Sequence, residues 1–177
     1  MFKLIKLMLC IATYCVIFPT QAYSTDEYRL GAGDTIKITV FGQQDLSIET
    51  MLDDSGKIDY PFLGQIQASG QTLEEFQQQI YSGLKGDYLV SPNVSVSILE
   101  YRPFFIDGEI KTPGGYPFQP GLTVNKAVAL AGGYTERASR SKIFLIRSND
   151  PEQKSVNVDG NTLLQPGDVI TVKQSYF

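Results

Sequence analysis

Apolar and polar side chains alternate along Ile36-Lys37-Ile38-Thr39-Val40, the period-two signature of a strand with one buried face. The alternation returns over Asn93 to Leu99, where Ser95 and Ser97 separate Val94, Val96 and Ile98. Lys57 to Tyr60, Gly64 to Ile66, Phe104 to Ile110, Lys142 to Arg147, Ser155 to Val158 and Val169 to Lys173 read as further strands. Turn sequences divide them: Asp53-Asp54-Ser55-Gly56, Pro113-Gly114-Gly115, Asp159-Gly160 and Pro166-Gly167-Asp168.

Twice the period changes to that of a helix. Leu73, Phe76, Ile80 and Leu84 form one apolar stripe, and Gln77, Gln78 and Gln79 cover much of the rest. Thr72 and Glu75 have the spacing of a capping box, and Gly86 marks the exit. Later, Val124, Ala127, Val128 and Ala131 fall at i, i+3, i+4 and i+7, with Thr123 as the N-cap and Gly132 as the stop. The order of elements gives an α+β fold in two units, residues 28–99 and 100–177. Neither is a strict repeat of the other. Glu100 to Pro103 joins them without a Gly/Ser tract, so the units are expected to sit in a fixed relation.

The first residues follow a different pattern. Lys3 and Lys6 precede an apolar run from Leu7 to Phe18, and Thr20-Gln21-Ala22 places small residues at −3 and −1. This is the order of a secretory signal peptide over residues 1–22, with cleavage between Ala22 and Tyr23. The apolar run is short for a membrane span, which disfavours an uncleaved anchor. Residues 23–27 read as a polar, flexible lead. Cys10 and Cys15 follow Leu9 and Tyr14, not the small residue that a lipid-acceptor cysteine requires. Both lie in the leader, so the mature chain is expected to form no disulfide.

Removal of Lys3 and Lys6 leaves 13 basic against 19 acidic residues, a net charge of −6. That balance argues against nucleic acid or an anionic membrane as the main partner. The chain has no histidine, which removes the commonest general base and metal ligand. Without cysteine in the mature chain, thiolate or imidazole zinc sites are excluded. The adjacent carboxylates each have a structural reason. Asp26/Glu27 lie in the lead, Asp53/Asp54 in a turn, and Glu74/Glu75 in the first turn of a helix. Gly31-Ala32-Gly33 precedes a strand instead of following one. Gly108 to Tyr116 follows a strand, but Pro117, Phe118 and Pro120 come before the next helix, so no helix N-terminus stands at the loop to bind phosphate. Neither a catalytic set nor a cofactor or metal site is expected.

Two sets of motifs carry a family resemblance. YRLGAGDTIKITVFGQQDLS, DDSGKIDYPFLGQIQASGQT and SPNVSVSI, in that order, resemble the core of the polysaccharide export proteins, the Wza-type exporters. FFIDGEIKTPGGYPFQPGLTVNKAVALAGGYTERA followed by LLQPGDVITV resembles the soluble-ligand-binding β-grasp (SLBB) domain that follows it in that family. The resemblance covers nearly all of residues 28–177. It makes GEIKTPGGY the turn of a binding domain.

The resemblance implies a periplasmic homo-oligomeric ring, of eight subunits in the family, at the outer membrane, passing capsular or exopolysaccharide outward. Larger members carry a further β-grasp domain, a C-terminal pore helix and a lipid anchor. The chain is therefore expected to work with a separate outer-membrane pore or β-barrel and an inner-membrane polysaccharide copolymerase or tyrosine kinase. A monomeric glycan-binding module is the alternative. Among the 20 Tyr and Phe residues, Tyr101, Phe104, Tyr116 and Phe118 cluster at the start of the second unit as candidate glycan or subunit contacts, against a core role.

Overall fold

The alternation at Ile36, Ile38 and Val40 becomes the middle strand of a three-stranded sheet in the computed structural model, which describes residues 28–175. The leader, the Ala22–Tyr23 junction and residues 23–27 lie outside the described residues. Strand β1 (Thr35–Val40) pairs antiparallel with β2 (Ile48–Met51) on one side and β5 (Val94–Glu100) on the other. The β3–β4 hairpin (Lys57–Tyr60, Gly64–Gln67) packs beside this sheet.

Helix α1 (Leu73–Leu84) covers the sheet. Its capping box is complete: Thr72 Oγ1 accepts from the Glu75 amide at 3.1 Å, and the Thr72 amide donates to the Glu75 carboxylate at 2.9 Å. Phe76, Ile80 and Leu84 are fully buried, while Leu73 packs at the edge of the core. Each fully buried side chain of this size contributes roughly 1.5–3 kcal/mol.

The second core is separate. Its sheet runs β7-β6-β10-β8-β9, with β7 spanning Gly114–Tyr116, β6 (Phe104–Gly108) parallel to β10 (Val169–Gln174) and the other pairs antiparallel. β8 spans Ala138–Ile146 and β9 Ser155–Val158. Helix α2 (Val124–Leu130) buries Val124, Ala127 and Val128 against this sheet. Its end is a Schellman motif: the Gly133 amide donates to Val128 O and the Gly132 amide to Ala129 O, with φ of +81° at Gly132.

Four sequence expectations change, one of them the start of β8, which lies at Ala138 instead of Lys142. Ile48–Met51 is a strand that the pattern does not announce. Pro113-Gly114-Gly115 is not a simple turn: Gly114–Tyr116 forms β7, pairing with Phe104–Ile106. β6 ends at Gly108 instead of Ile110, because Gly108 takes φ of +85° and a Cβ there would lie 2.1 Å from Val172 O. After this break, the Lys111 and Thr112 amides donate to Gly133 O and Ala131 O at the end of α2. The glycine-rich loop thus satisfies carbonyls just past the end of α2 and presents neither of these amides to an anion.

Candidate functional site at the junction of the two units

Two turns of the same build meet where the units join. Gly31-Ala32-Gly33-Asp34 precedes β1, and Gln165-Pro166-Gly167-Asp168 precedes β10. In each, the third residue is a glycine at positive φ, +90° and +83°. The fourth-residue amide reaches back to the first carbonyl at 3.2 Å in both. The aspartate side chain then accepts from the first residue's amide at 2.8 Å in both. A turn needing left-handed φ at its third position selects glycine there, and proline suits the position before it.

Both aspartates are fully buried. Asp34 accepts from Tyr28 Oη at 2.5 Å, the Arg102 amide at 2.9 Å and Arg102 Nη1 at 3.1 Å. Asp168 accepts from Arg147 Nη1 at 2.7 Å and the Ser148 amide at 3.4 Å. These bonds hold its charge, yet burial outweighs them and its carboxyl lies above the usual aspartate range. The Tyr28 phenol is held well above its ordinary value, first by burial and then by its bond to Asp34.

Arg102 links the two turns. Nη1 donates to Tyr28 and Asp34 on the first unit; Nη2 donates to Ser148 Oγ at 3.3 Å on the second. Ser148 Oγ in turn donates to Pro166 O at 2.8 Å. Two glycines leave room for this arginine, and Gly167 also takes a left-handed φ. A Cβ on Gly31 would lie 2.4 Å from Arg102 Nη1, and one on Gly167 would lie 2.8 Å from Nε. Nothing in the local pattern flagged Arg102, since a charged residue in a linker reads as solvated. The available signal was the repeated Gly-Asp ahead of an alternating strand, in GAGDTIKITV and QPGDVITV.

Over this junction opens a cleft of about 610 Å³. Tyr101 stands on its wall between Tyr28 and Phe118, near-perpendicular to both, with centroids 5.2 and 5.5 Å apart. Leu164, Pro120 and Pro166 extend the apolar lining, and Ser148, Asn149 and Gln165 supply polar groups. Among the described residues, the charged side chains lining it are Arg29 and Arg102, both cationic. Among the described residues, no cluster of three metal-ligating side chains occurs, and no helix is long and apolar enough to cross a membrane.

The four aromatic candidates divide. Tyr101 and Phe118 line the cleft. Phe104 is fully buried in the second core and has no surface to offer a ligand or subunit. Tyr116 is half-buried, stacked on Phe104 at 5.9 Å, with its hydroxyl donating to Thr112 O at 2.7 Å. Ala22 and Tyr23 lie outside the described residues.

The chain matches the family model for polysaccharide biosynthesis/export proteins over residues 22–99 and that for the SLBB domain over residues 103–164. It is 38% identical to the exopolysaccharide production protein ExoF of Rhizobium meliloti over 133 residues, 67% of this chain and 31% of that protein. It is 31% identical to the EPS I polysaccharide export outer membrane protein EpsA of Ralstonia nicotianae over 170 residues, 90% of this chain and 42% of that one. With the polysialic acid transport protein KpsD of Escherichia coli the identity is 26% over 126 residues, 70% of this chain and 23% of that one. The chain therefore spans less than half the length of these relatives. Their names describe production, export and transport of polysaccharide.

Proposed function

Since the chain belongs to the polysaccharide biosynthesis/export family, we propose that it is a non-enzymatic, periplasmic, ring-forming component of a capsular or exopolysaccharide export machine. In this reading it conducts polysaccharide toward and across the outer membrane with a separate pore partner. An inner-membrane copolymerase or tyrosine kinase of the same pathway feeds it. The observation that carries the reading is the pairing of an export domain with an SLBB domain in one chain.

The structure suits such a part. Two small cores are joined through a linker arginine with its hydrogen-bonded partners and through the Tyr28–Tyr101–Phe118 rings, which suits a stiff building block. Surfaces for neighbours are present: Phe62 and Tyr88 touch at 4.9 Å and stay 64% and 47% exposed, and Val90 beside them is 92% exposed. Strands β2 and β5 edge one sheet, β7 and β9 the other, and a sheet edge offers unpaired backbone groups. A wide hydrated passage acts by geometry and needs no general base. A monomeric glycan-binding module is the second reading, favoured by the aromatic-walled cleft.

The test is a deletion strain, scored for surface polysaccharide against polysaccharide retained in the envelope. Lost surface material, restored by the wild-type gene, is the expected result. Unchanged surface polysaccharide contradicts the export reading.

A further inference from the structure

We propose that the junction cleft binds a carboxylate-bearing pyranose residue of the transported polysaccharide; this rests on the export reading and names the chemistry of its cargo. A pyranose presents an apolar C–H face and a rim of hydroxyl groups. It therefore needs an aromatic surface and a ring of hydrogen-bonding partners within one concave site. The cleft brings both together, since Tyr101 and Phe118 line it along with Ser148, Asn149 and Gln165. Its volume, about 610 Å³, lies within the usual range of roughly 300–1,000 Å³ for ligand sites. The wall is pre-organised, because Tyr101 is fixed edge-on between two other rings and has little freedom to lose on binding.

Charge selects the acidic sugar. The chain is acidic, with a net charge of −4, yet among the described residues no carboxylate lines this cleft, and the charged side chains that line it are Arg29 and Arg102. The carboxylates that pair with them stand outside the lining: Asp34 is fully buried, and Glu75 belongs to α1. Arg29 engages Nη1 with Gly70 O and Glu75, leaving Nη2 and Nε to donate. Its side chain is 55% exposed. A guanidinium fork matches a carboxylate bidentately. The two arginines straddle the junction, so a bound sugar touches both units at once.

A conduit must release what it holds, so binding is expected to be weak, in the millimolar range. The test is an NMR titration of the purified full chain with an oligogalacturonate and with a neutral malto-oligosaccharide of equal length. The expected result is amide shifts at Arg29–Ala32, Tyr101–Arg102, Phe118 and Ser148–Asn149 with the acidic probe. The neutral probe binds several-fold more weakly, and the preference shrinks as salt is raised. Arg29→Gln lowers affinity for the acidic probe roughly threefold while leaving the unfolding midpoint within a degree or so. Tyr101→Leu weakens both probes, with the fold checked by the same spectrum. Equal affinity for the two probes, shifts confined to another surface, or no shift with either overturns the proposal. Those results leave the export reading standing, whereas normal surface polysaccharide in the deletion strain removes that reading whatever the cleft binds.

Discussion

Arg102 has a side chain only 18% exposed, and its partner Asp34 is fully buried. Removing the guanidinium leaves a buried carboxylate with only neutral donors, Tyr28 Oη and the Gly31 and Arg102 amides, to hold its charge. Arg102→Met is therefore expected to cost about 3 kcal/mol in chemical denaturation. Arg102→Lys recovers only part of this, because an ammonium group cannot reach Tyr28, Asp34 and Ser148 as a planar fork does. Gly108→Ala is expected to cost at least about 2 kcal/mol, since it meets both a left-handed φ and the Val172 carbonyl. Tyr28 gives a pH signature. Its phenol is raised from 10.0 by burial and by Asp34, and burial pushes Tyr60 up to about 12. In the unfolded chain both lose their protons near the ordinary value, while the folded chain keeps them. Their contribution is complete below about pH 10 and falls as pH rises above it, by up to about 1.4 kcal/mol per pH unit for each group. Thermal unfolding between pH 9 and 11, scanned in steps on that basis, should show a steeper decline for the wild type than for Tyr28→Phe. Parallel curves contradict this assignment.

At the scale of elements, helix ends were the most legible part of the sequence, because caps are local chemistry. Thr72 with Glu75 and Gly132 after α2 sit where their residue types require. Thr72→Ala should cost about 1 kcal/mol by denaturation, and Thr72→Ser should restore most of it. Strands with a buried face were legible too, through Ile36, Ile38 and Val40 or Val94 and Val96. The misses share a cause. In β2 no side chain is fully buried, and β7 reads Gly-Gly-Tyr, so both are strands by virtue of their ladders and not of a hydrophobic face. β8 begins at Ala138 and not Lys142 because Ala138 pairs with Gln174 across a register shift, while the residues that follow it, Ser139, Arg140 and Ser141, are polar and announce no strand. Pairing partners distant in sequence set these bounds, and one strand's own pattern does not contain them.

At the scale of the molecule, the short linker suggested a fixed relation between units, but not its mechanism. Asp34 and Ser148 meet Arg102 across 68 and 46 residues of sequence, a distance that no local spacing encodes. Of the flagged aromatics, Tyr101 and Phe118 face the cleft and Phe104 is core. Alternation alone does not distinguish the two fates at the end of a strand. The junction predicts coupled unfolding: one cooperative thermal transition for the wild type, and two for Arg102→Met as the separate cores melt independently. A single transition in the variant contradicts the latch. The export reading requires more than a stiff subunit, since a conduit has to be closed by neighbours. The decisive measurement is the native mass of the full chain isolated from the cell envelope. A single assembly at a fixed whole multiple of the subunit mass is the expected result. A monomer at every concentration contradicts a ring and leaves a glycan-binding module in its place.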